Sequence, residues 1–367
     1  MKILIVKASA LGDIIQCFPI LDDLRKRFAK VTIDWVVDVS LASIVSSHPL
    51  VDQVIAVHSK KLKSWRQALF FFRDLRRLKR LSYDVVFDLQ GNFKSAMLAA
   101  SVRSPLKVGF GWRSVRERIS LLATNRRFEV SPTLNIRLQY LSLVQQFFEP
   151  HLPSFAREVR RTQLLCADPL GVRFRIDAAE REKLREILEH PALKVPCRIM
   201  VCPGSKWINK QIPLETLALF LQRVQDRLGA SFCLMWGDEA EKAYCTQLQS
   251  YFPEHSLVVD KLPLPTWQNL MNEMQLVIAV DSSALHLAGT TSAPSFSLFG
   301  PTSFEIFKPI GARHFAFQGP CPYGRTFTKQ CPLLRTCPTG ACLRNLTVDQ
   351  IFTSFENWWN AGSLRGD

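Results

Sequence analysis

One stretch constrains this chain more than any other: residues 277–302, VIAVDSSALHLAGTTSAPSFSLFGPT. The run Leu276-Val277-Ile278-Ala279-Val280 is apolar and partly β-branched without interruption, as in a strand buried on both faces of a parallel sheet. Three small polar residues follow, Asp281, Ser282 and Ser283, and then Ala284 to Ala288 at helical spacing. A strand, a polar turn and a helix N-terminus present unpaired N–H groups and the positive end of a helix dipole, which favour an anion. Ser282 and Ser283 either cap the helix or bond a phosphate, and His286 falls in the first turn. A second strand, Ser295 to Phe299, ends in Gly300-Pro301-Thr302. Two such turns at the carboxyl ends of neighbouring parallel strands make the kind of crevice in which open α/β sheets hold nucleotides. Simple N-capping of a core helix remains the alternative for the Asp-Ser-Ser turn taken alone.

The same alternation runs along the chain. Lys2 to Val6 predicts a first strand, Lys7 to Asp13 a small-residue turn, and Ile14 to Phe28 a helix. Strands are expected at Val31–Val37, Val54–Val57, Tyr83–Leu89 and Val108–Phe110, with a basic helix over Trp65–Leu81. A second series begins at Cys197–Val201 and continues with helix Leu214–Leu228, strands Phe232–Trp236 and Leu257–Val259, and a helix closing over Leu270–Leu276. Helix Ala178–Leu188 precedes it. This is a doubly wound α/β pattern, and 367 residues are long for one core. Two domains are expected, 1–160 and 161–345, with a hinge in the Pro-containing stretch from Glu149 to Pro169. Residues 346–367 form a C-terminal helix expected to pack back on the first domain. No repeat at a fixed period is present.

Charge divides the chain unevenly. The net charge is +15, and residues 1–160 hold 26 Lys and Arg against 13 Asp and Glu. A basic half attracts nucleic acid, anionic lipid or an acidic glycolipid. Nucleic acid is disfavoured, because the basic residues lack interleaved stacking aromatics and any binding motif. A solvated helix face is the alternative for the basic run from Lys60 to Arg80. There is no apolar run long enough for a transmembrane helix, and Ile3 to Val6 is too short for a signal sequence, so a cytoplasmic protein is expected. Of ten cysteines, Cys321, Cys331, Cys337 and Cys342 lie together with nine, five and four residues between them. These gaps lack the C-x-x-C pairing of common zinc sites, which leaves loop thiols or a less usual metal site. No metal and no cofactor are expected.

Polar groups collect at strand ends. The later strands are followed by Ser205, Lys206 and Lys210, by Asp281 to His286, and by Thr302, with Glu241 as an acceptor for ribose hydroxyls. Neither a G-x-x-x-x-G-K-[ST] loop nor a G-x-G-x-x-G turn exists, which removes the P-loop and weakens a dinucleotide oxidoreductase. Asp13, after Gly12, is either the N-cap of the first helix or a carboxylate aimed into a cleft. A non-catalytic nucleotide sensor fits poorly with that aspartate in its turn.

Several of these segments resemble one family. Lys7-Ala8-Ser9-Ala10-Leu11-Gly12-Asp13, Pro203-Gly204-Ser205-Lys206-Trp207 with Lys210 and Pro213, Trp236-Gly237, Asp281-Ser282 with His286, and Gly300-Pro301-Thr302 are similar to the lipopolysaccharide heptosyltransferases. The order matches over nearly the whole chain. Trp35-Val36-Val37, Tyr83-Asp84, Gln90-Gly91, Lys94-Ser95-Ala96 and Asn125-Arg126-Arg127 look most like the heptosyltransferase I branch. The resemblance implies a GT-B fold, two Rossmann-like domains facing across a cleft. It implies an inverting, metal-independent transfer from ADP-L-glycero-D-manno-heptose to a Kdo residue of the inner core. Asp13 would be the general base. Ser205, Lys206, Lys210, Trp236, Gly237, Glu241, Asp281, Ser282, Ser283 and His286 would bind the donor, and Ser9, Lys60, Lys61, Lys63, Lys94 and Arg116 the acceptor. The partners implied are a nucleotide sugar and an acidic glycolipid at the inner membrane's cytoplasmic face, bound by a monomer. Two departures touch the donor side: Ile212 stands where the family often has Trp, and Ser282-Ser283 where it often has Thr-Gly. A related transferase using another nucleotide sugar, or a protein acceptor, is the alternative.

Overall fold

The structure, a computed structural model, describes residues 1–59, 65–151 and 171–361. The chain divides into two compact units, Met1–Asp168 and Pro169–Asp367. That division and the expected one at residue 160 both fall in 152–170, outside the described residues.

The first domain is a parallel sheet of β1 (Lys2–Val6), β2 (Thr32–Asp38), β3 (Gln53–Val57), β4 (Val85–Asp88), β5 (Leu106–Phe110) and β6 (Arg126–Phe128), in the order β3-β2-β1-β4-β5-β6. Ile3, Leu4, Ile5 and Val6 of β1 are fully buried, because helices cover both faces of a central parallel strand. The second domain carries β7 (Arg198–Cys202), β8 (Ser231–Leu234), β9 (Ser256–Val258), β10 (Leu276–Val280), β11 (Ser295–Phe299) and β12 (His314–Gln318), in the order β12-β11-β10-β7-β8-β9. Counted within each domain, the two orders are the same doubly wound one. Each has a topological switch point where the order reverses: between β1 and β4, and between β7 and β10.

Strands β6 and β12 are not among the sequence expectations, and three expected elements take a different form. The first helix is two, Leu11–Ile15 and Pro19–Arg27, because Pro19 lacks the N–H that a continuous helix needs and instead opens the second. The helix expected to close over Leu270–Leu276 is Leu264–Met271, and Leu276 already belongs to β10. The C-terminal helix Val348–Asn360 was expected on the first domain; its apolar face lies in the core of the second. Ile351, Phe355 and Trp358 recur at i, i+4 and i+7 and are buried with Phe220 and Phe296. The Phe355 ring meets that of Phe296 edge-on at 5.3 Å. A large apolar side chain buried in this way contributes roughly 1.5–3 kcal/mol, which fixes where the helix docks.

Candidate active site

Loops at the switch point of the second domain bring together most of the expected donor residues. Lys210 ends the short turn Ile208–Lys210 that follows β7, and Asp281 follows β10. The Lys210 Nζ lies 2.6 Å from Asp281 Oδ2, and Thr302 Oγ1 donates to the same oxygen at 2.5 Å. His286 Nε2 stands 4.0 Å from Asp281 Oδ1. Burial alone pushes the Asp281 carboxyl up. The charges of Lys210 and His286, with the hydrogen bonds from Lys210 and Thr302, outweigh it and hold the group below the ordinary carboxylate value. Asp281 is therefore an anion whose task is to fix the Lys210 amine. One ammonium hydrogen goes to Asp281, and a lysine has three to give.

Beside it, Ser282 is the N-cap position of the helix Ser283–Ala288, and its buried Oγ has no hydrogen-bond partner among the described residues. Buried hydroxyls are nearly always bonded, so such a group suits a ligand oxygen. Ser283 begins that helix.

A second cluster follows β8. Asp238 caps the helix Glu239–Gln249 by accepting from the Glu241 N–H at 3.0 Å. Glu241 in turn accepts from the Gly237 N–H at 2.7 Å. The half-buried carboxyl is pushed up by burial. A Cβ on Gly204 would lie 2.2 Å from Glu241 Cδ, so a side chain there would displace this carboxylate from its place beside the loop after β7. Ser205 is buried, its carbonyl accepting from Gln211 Nε2 at 2.7 Å, and Lys206 lies over the Trp207 ring at 5.7 Å. Trp236, expected at the donor, is built into the domain core. Its indole N–H donates to the Val259 carbonyl at 2.7 Å, and it packs among Phe220, Leu234 and Val280.

The first domain gathers a different set. Asp13 is the third residue of the helix Leu11–Ile15 and not its N-cap, which is Ala10. Its carboxylate accepts weakly from the Ala10 N–H at 3.4 Å, and its side chain is 40% exposed. Lys7 Nζ is 3.9 Å from Asp13 Oδ2 but donates to the Leu89 carbonyl at 3.2 Å and to Tyr140 Oη at 2.9 Å. Burial raises the Tyr140 hydroxyl well above its ordinary value, and the neighbouring Cys17 and the Asp13 carboxylate add to that, while Arg116 works the other way. Asp13, Lys7, Tyr140 and Arg116 thus share one electrostatic neighbourhood.

At the end of β4, Gln90 Oε1 accepts from the Ala8 and Ser9 N–H groups at 2.8 and 3.1 Å, and its amide donates to Ser9 Oγ at 3.0 Å. Asp88 ties down the following turn by accepting from the Gln90 and Gly91 N–H groups, both at 3.0 Å. Gly91 has φ +63°, a conformation that a side chain would strain. Ser9, Ser59, Gln90, Lys94 and Glu117 line a cavity of about 290 Å³, in which Lys94 Nζ donates to the Ser59 carbonyl at 2.6 Å. Two expected acceptor residues, Ser9 and Lys94, therefore meet there. Lys60, Lys61 and Lys63 lie outside the described residues.

The family model described as "Glycosyltransferase family 9 (heptosyltransferase)" matches residues 71–336. The chain belongs to glycosyltransferase family 9. It is 29% identical over 332 residues to lipopolysaccharide heptosyltransferase 1 of Pseudomonas aeruginosa, covering 88% of this chain and 85% of that one. Among solved structures it is similar to Escherichia coli heptosyltransferase WaaC with ADP, with TM-score 0.73 and 22% identity over 98% of this chain and all (100%) of that one. The same Escherichia coli enzyme with ADP-2-deoxy-2-fluoro heptose gives TM-score 0.72 and 21% identity over 97% and 99%. These likenesses span both domains and show the fold, the GT-B class expected from the sequence.

Three residues of this glycosyltransferase were not singled out from its sequence as site residues. Lys7 was legible only as part of a motif, and Tyr140 lies 133 residues from it with no local signal. Asn209 is the third. Its buried amide donates to the Leu334 and Cys337 carbonyls at 3.2 and 3.0 Å and so anchors the turn that carries Lys210. Cys321, Cys331, Cys337 and Cys342 converge on one small cavity against that anchor. Among the described residues no group of three or more His, Cys, Asp or Glu is arranged to hold a metal ion.

Proposed function

We propose that this transferase moves L-glycero-D-manno-heptose from its ADP conjugate to a Kdo residue of the lipopolysaccharide inner core, with inversion and without a metal ion. The observation that carries it is the Lys210 ammonium fixed by buried Asp281 beside the unbonded Ser282 hydroxyl, a cation and a donor at a switch point where a diphosphate belongs. The relative from Pseudomonas aeruginosa is named as a lipopolysaccharide heptosyltransferase, and the similar solved structures are described with ADP and with ADP-2-deoxy-2-fluoro heptose. Lys206, Ser283 and His286 complete the diphosphate site, and Glu241 with the Gly237 turn receives the ribose.

Asp13 takes the proton from the attacking acceptor hydroxyl. The freed oxygen bonds to the anomeric carbon as that carbon's bond to the ADP oxygen breaks on the opposite face, which inverts it. The electron pair leaves with ADP, whose growing negative charge Lys210 and the Ser282 hydroxyl stabilise. Lys7 stays 3.9 Å from Asp13 Oδ2 and leaves its oxygens accessible, since the Lys7 amine is already bonded to Leu89 and Tyr140. Ser9, Lys94 and Arg116 face the acidic sugar, with Lys60, Lys61 and Lys63 as further candidates. The donor is water-soluble and the acceptor lipid-anchored, so the enzyme works at the cytoplasmic face of the inner membrane.

The test supplies purified protein with ADP-heptose and Kdo-lipid A and reads the acceptor by mass spectrometry. A gain of one heptose is expected. Transfer only from UDP, GDP or CMP sugars, or only onto protein, overturns the assignment.

A further inference from the structure

The helix Trp65–Leu78 has two apolar faces, and the core uses one of them. Phe71, Leu75 and Leu78 are buried against β1 and β2 side chains such as Leu4 and Val36. On another face Trp65, Leu69 and Phe72 recur at i, i+4 and i+7 and are 73%, 58% and 52% exposed. Arg76 continues that stripe one turn on, with exposed Arg73 and Arg77 beside it and Lys79 and Arg80 just beyond the helix. Large apolar side chains are common singly on a surface, but an ordered stripe of three on one helix marks an interaction site.

The flanking charge says what the stripe meets. The helix has one acidic residue, Asp74, which is buried and held 2.9 Å from His58 Nδ1. Its exposed face is therefore cationic and apolar, without a single carboxylate. A second copy docking by two-fold symmetry would bring two cationic patches together with no exposed carboxylate on either helix, because such an interface pairs a patch with itself. An anionic bilayer satisfies both halves of the pattern. Aromatic and leucine side chains enter the boundary between headgroups and acyl chains while arginines remain among lipid phosphates, as in helices that lie in a membrane interface. Fourteen residues give a helix about 21 Å long, enough to lie along a surface and too short to span one. Among the described residues no helix is long and apolar enough to cross a membrane. The neighbouring helix Phe93–Ser101 and the turn Arg118–Ala123 pack in series beside this one. These elements also carry exposed apolar side chains, Ile119 and Leu122, the latter 88% exposed.

We infer that the Trp65–Leu78 helix is a membrane-docking element that seats the first domain on an anionic lipid surface through Trp65, Leu69 and Phe72. This deepens the proposed function, and it is tested without the acceptor so that either can fail alone. The full chain is sedimented with phosphatidylethanolamine–phosphatidylglycerol vesicles and, in parallel, with phosphatidylcholine vesicles. Wild type is expected to bind the former and to be released by high salt. Leu69→Gln with Phe72→Gln should weaken partition by at least about tenfold, since each side chain loses roughly the transfer free energy of a buried apolar group. Arg73→Gln with Arg76→Gln and Arg77→Gln should lose a similar factor, about tenfold or more, on anionic vesicles only. Both variants change exposed residues outside the catalytic machinery, so transfer to a lipid-free Kdo acceptor should stay at the wild-type rate. Equal binding to phosphatidylcholine, wild-type sedimentation of the Leu69/Phe72 variant, or its loss of activity on the lipid-free acceptor each overturns the inference. So does a wild-type dimer in light scattering that the Leu69/Phe72 variant abolishes.

Discussion

The switch point between β1 and β4 is followed by a carboxylate that is open to solvent, Asp13, whereas the corresponding point between β7 and β10 is followed by one that is buried and ion-paired, Asp281. Both aspartates have a lysine from a nearby loop. Lys210 is 2.6 Å from Asp281, while Lys7 stays 3.9 Å from Asp13 and gives its hydrogens to Leu89 and Tyr140. The same strand order and the same pair of residue types thus give two different settings. A carboxylate with accessible oxygens can take a proton, and one locked to an ammonium can only position it. The surrounding charge follows the same division, with 26 Lys and Arg against 13 Asp and Glu in residues 1–160 and near balance beyond.

The sharpest break of this comparison is Asp13→Asn. Asn keeps the oxygen that accepts from the Ala10 N–H, so the local helix start survives. It cannot take a proton, and turnover should fall by roughly 10²–10⁴-fold with the melting curve and donor binding unchanged. Wild-type turnover in that variant, measured as heptose transfer, would remove the difference between the two carboxylates.

Lys210→Ala should act on both turnover and stability. Loss of a cation at the leaving diphosphate is expected to cost roughly 10²–10³-fold in turnover. It also leaves Asp281 buried without its partner, a change worth about 3–5 kcal/mol. Calorimetry and kinetics separate the two: adding Asp281→Asn to Lys210→Met should restore much of the melting temperature and none of the turnover. Recovered turnover in the double variant would show that the pair is structural only.

The buried pair also predicts an acid limit. Asp281 is held below its unfolded value, so its contribution is fully present above the unfolded carboxylate pKa of about 3.9 and is lost as pH falls through the lower folded value. The stability gap between wild type and Asp281→Asn should therefore narrow below about pH 4 in acid melts. A gap that is constant down to acid unfolding contradicts the ion pair.

How much of this was readable depended on range along the chain. β1, β7 and β10 are buried on both faces and so appear as apolar runs; Asp281 follows such a run directly, and Lys210 and His286 come within the turn and first helix after one. β6 is three residues, Arg-Arg-Phe, at a sheet edge, too short and too basic to announce a strand. Trp236 sits at a strand end like a ligand-binding residue, yet its indole is committed to the Val259 carbonyl 23 residues on, which no local pattern encodes. The seat of the C-terminal helix is hidden in the sequence for the same reason. An i, i+4, i+7 stripe says that a face is buried and not against which core. Asn209 is invisible in sequence because its partners are backbone carbonyls 125 and 128 residues away.

The smallest effect expected concerns Lys94, and it tests whether the basic domain handles the acceptor. Lys94 lines the cavity beside Ser9 and Gln90, and its amine donates to the Ser59 carbonyl, which leaves hydrogens for an acidic sugar. Its group is partly exposed, so a single charge contact there is worth about 0.2–1 kcal/mol, or up to roughly fivefold in affinity. Lys94→Gln should raise acceptor KM by that factor, less so at high salt where the contact is screened, with donor KM unchanged. Kinetics at two salt concentrations with each substrate varied in turn will show it. A shift in donor KM instead, or an acceptor effect that grows with salt, would mean that the two domains do not divide the substrates as their charge and their carboxylates indicate.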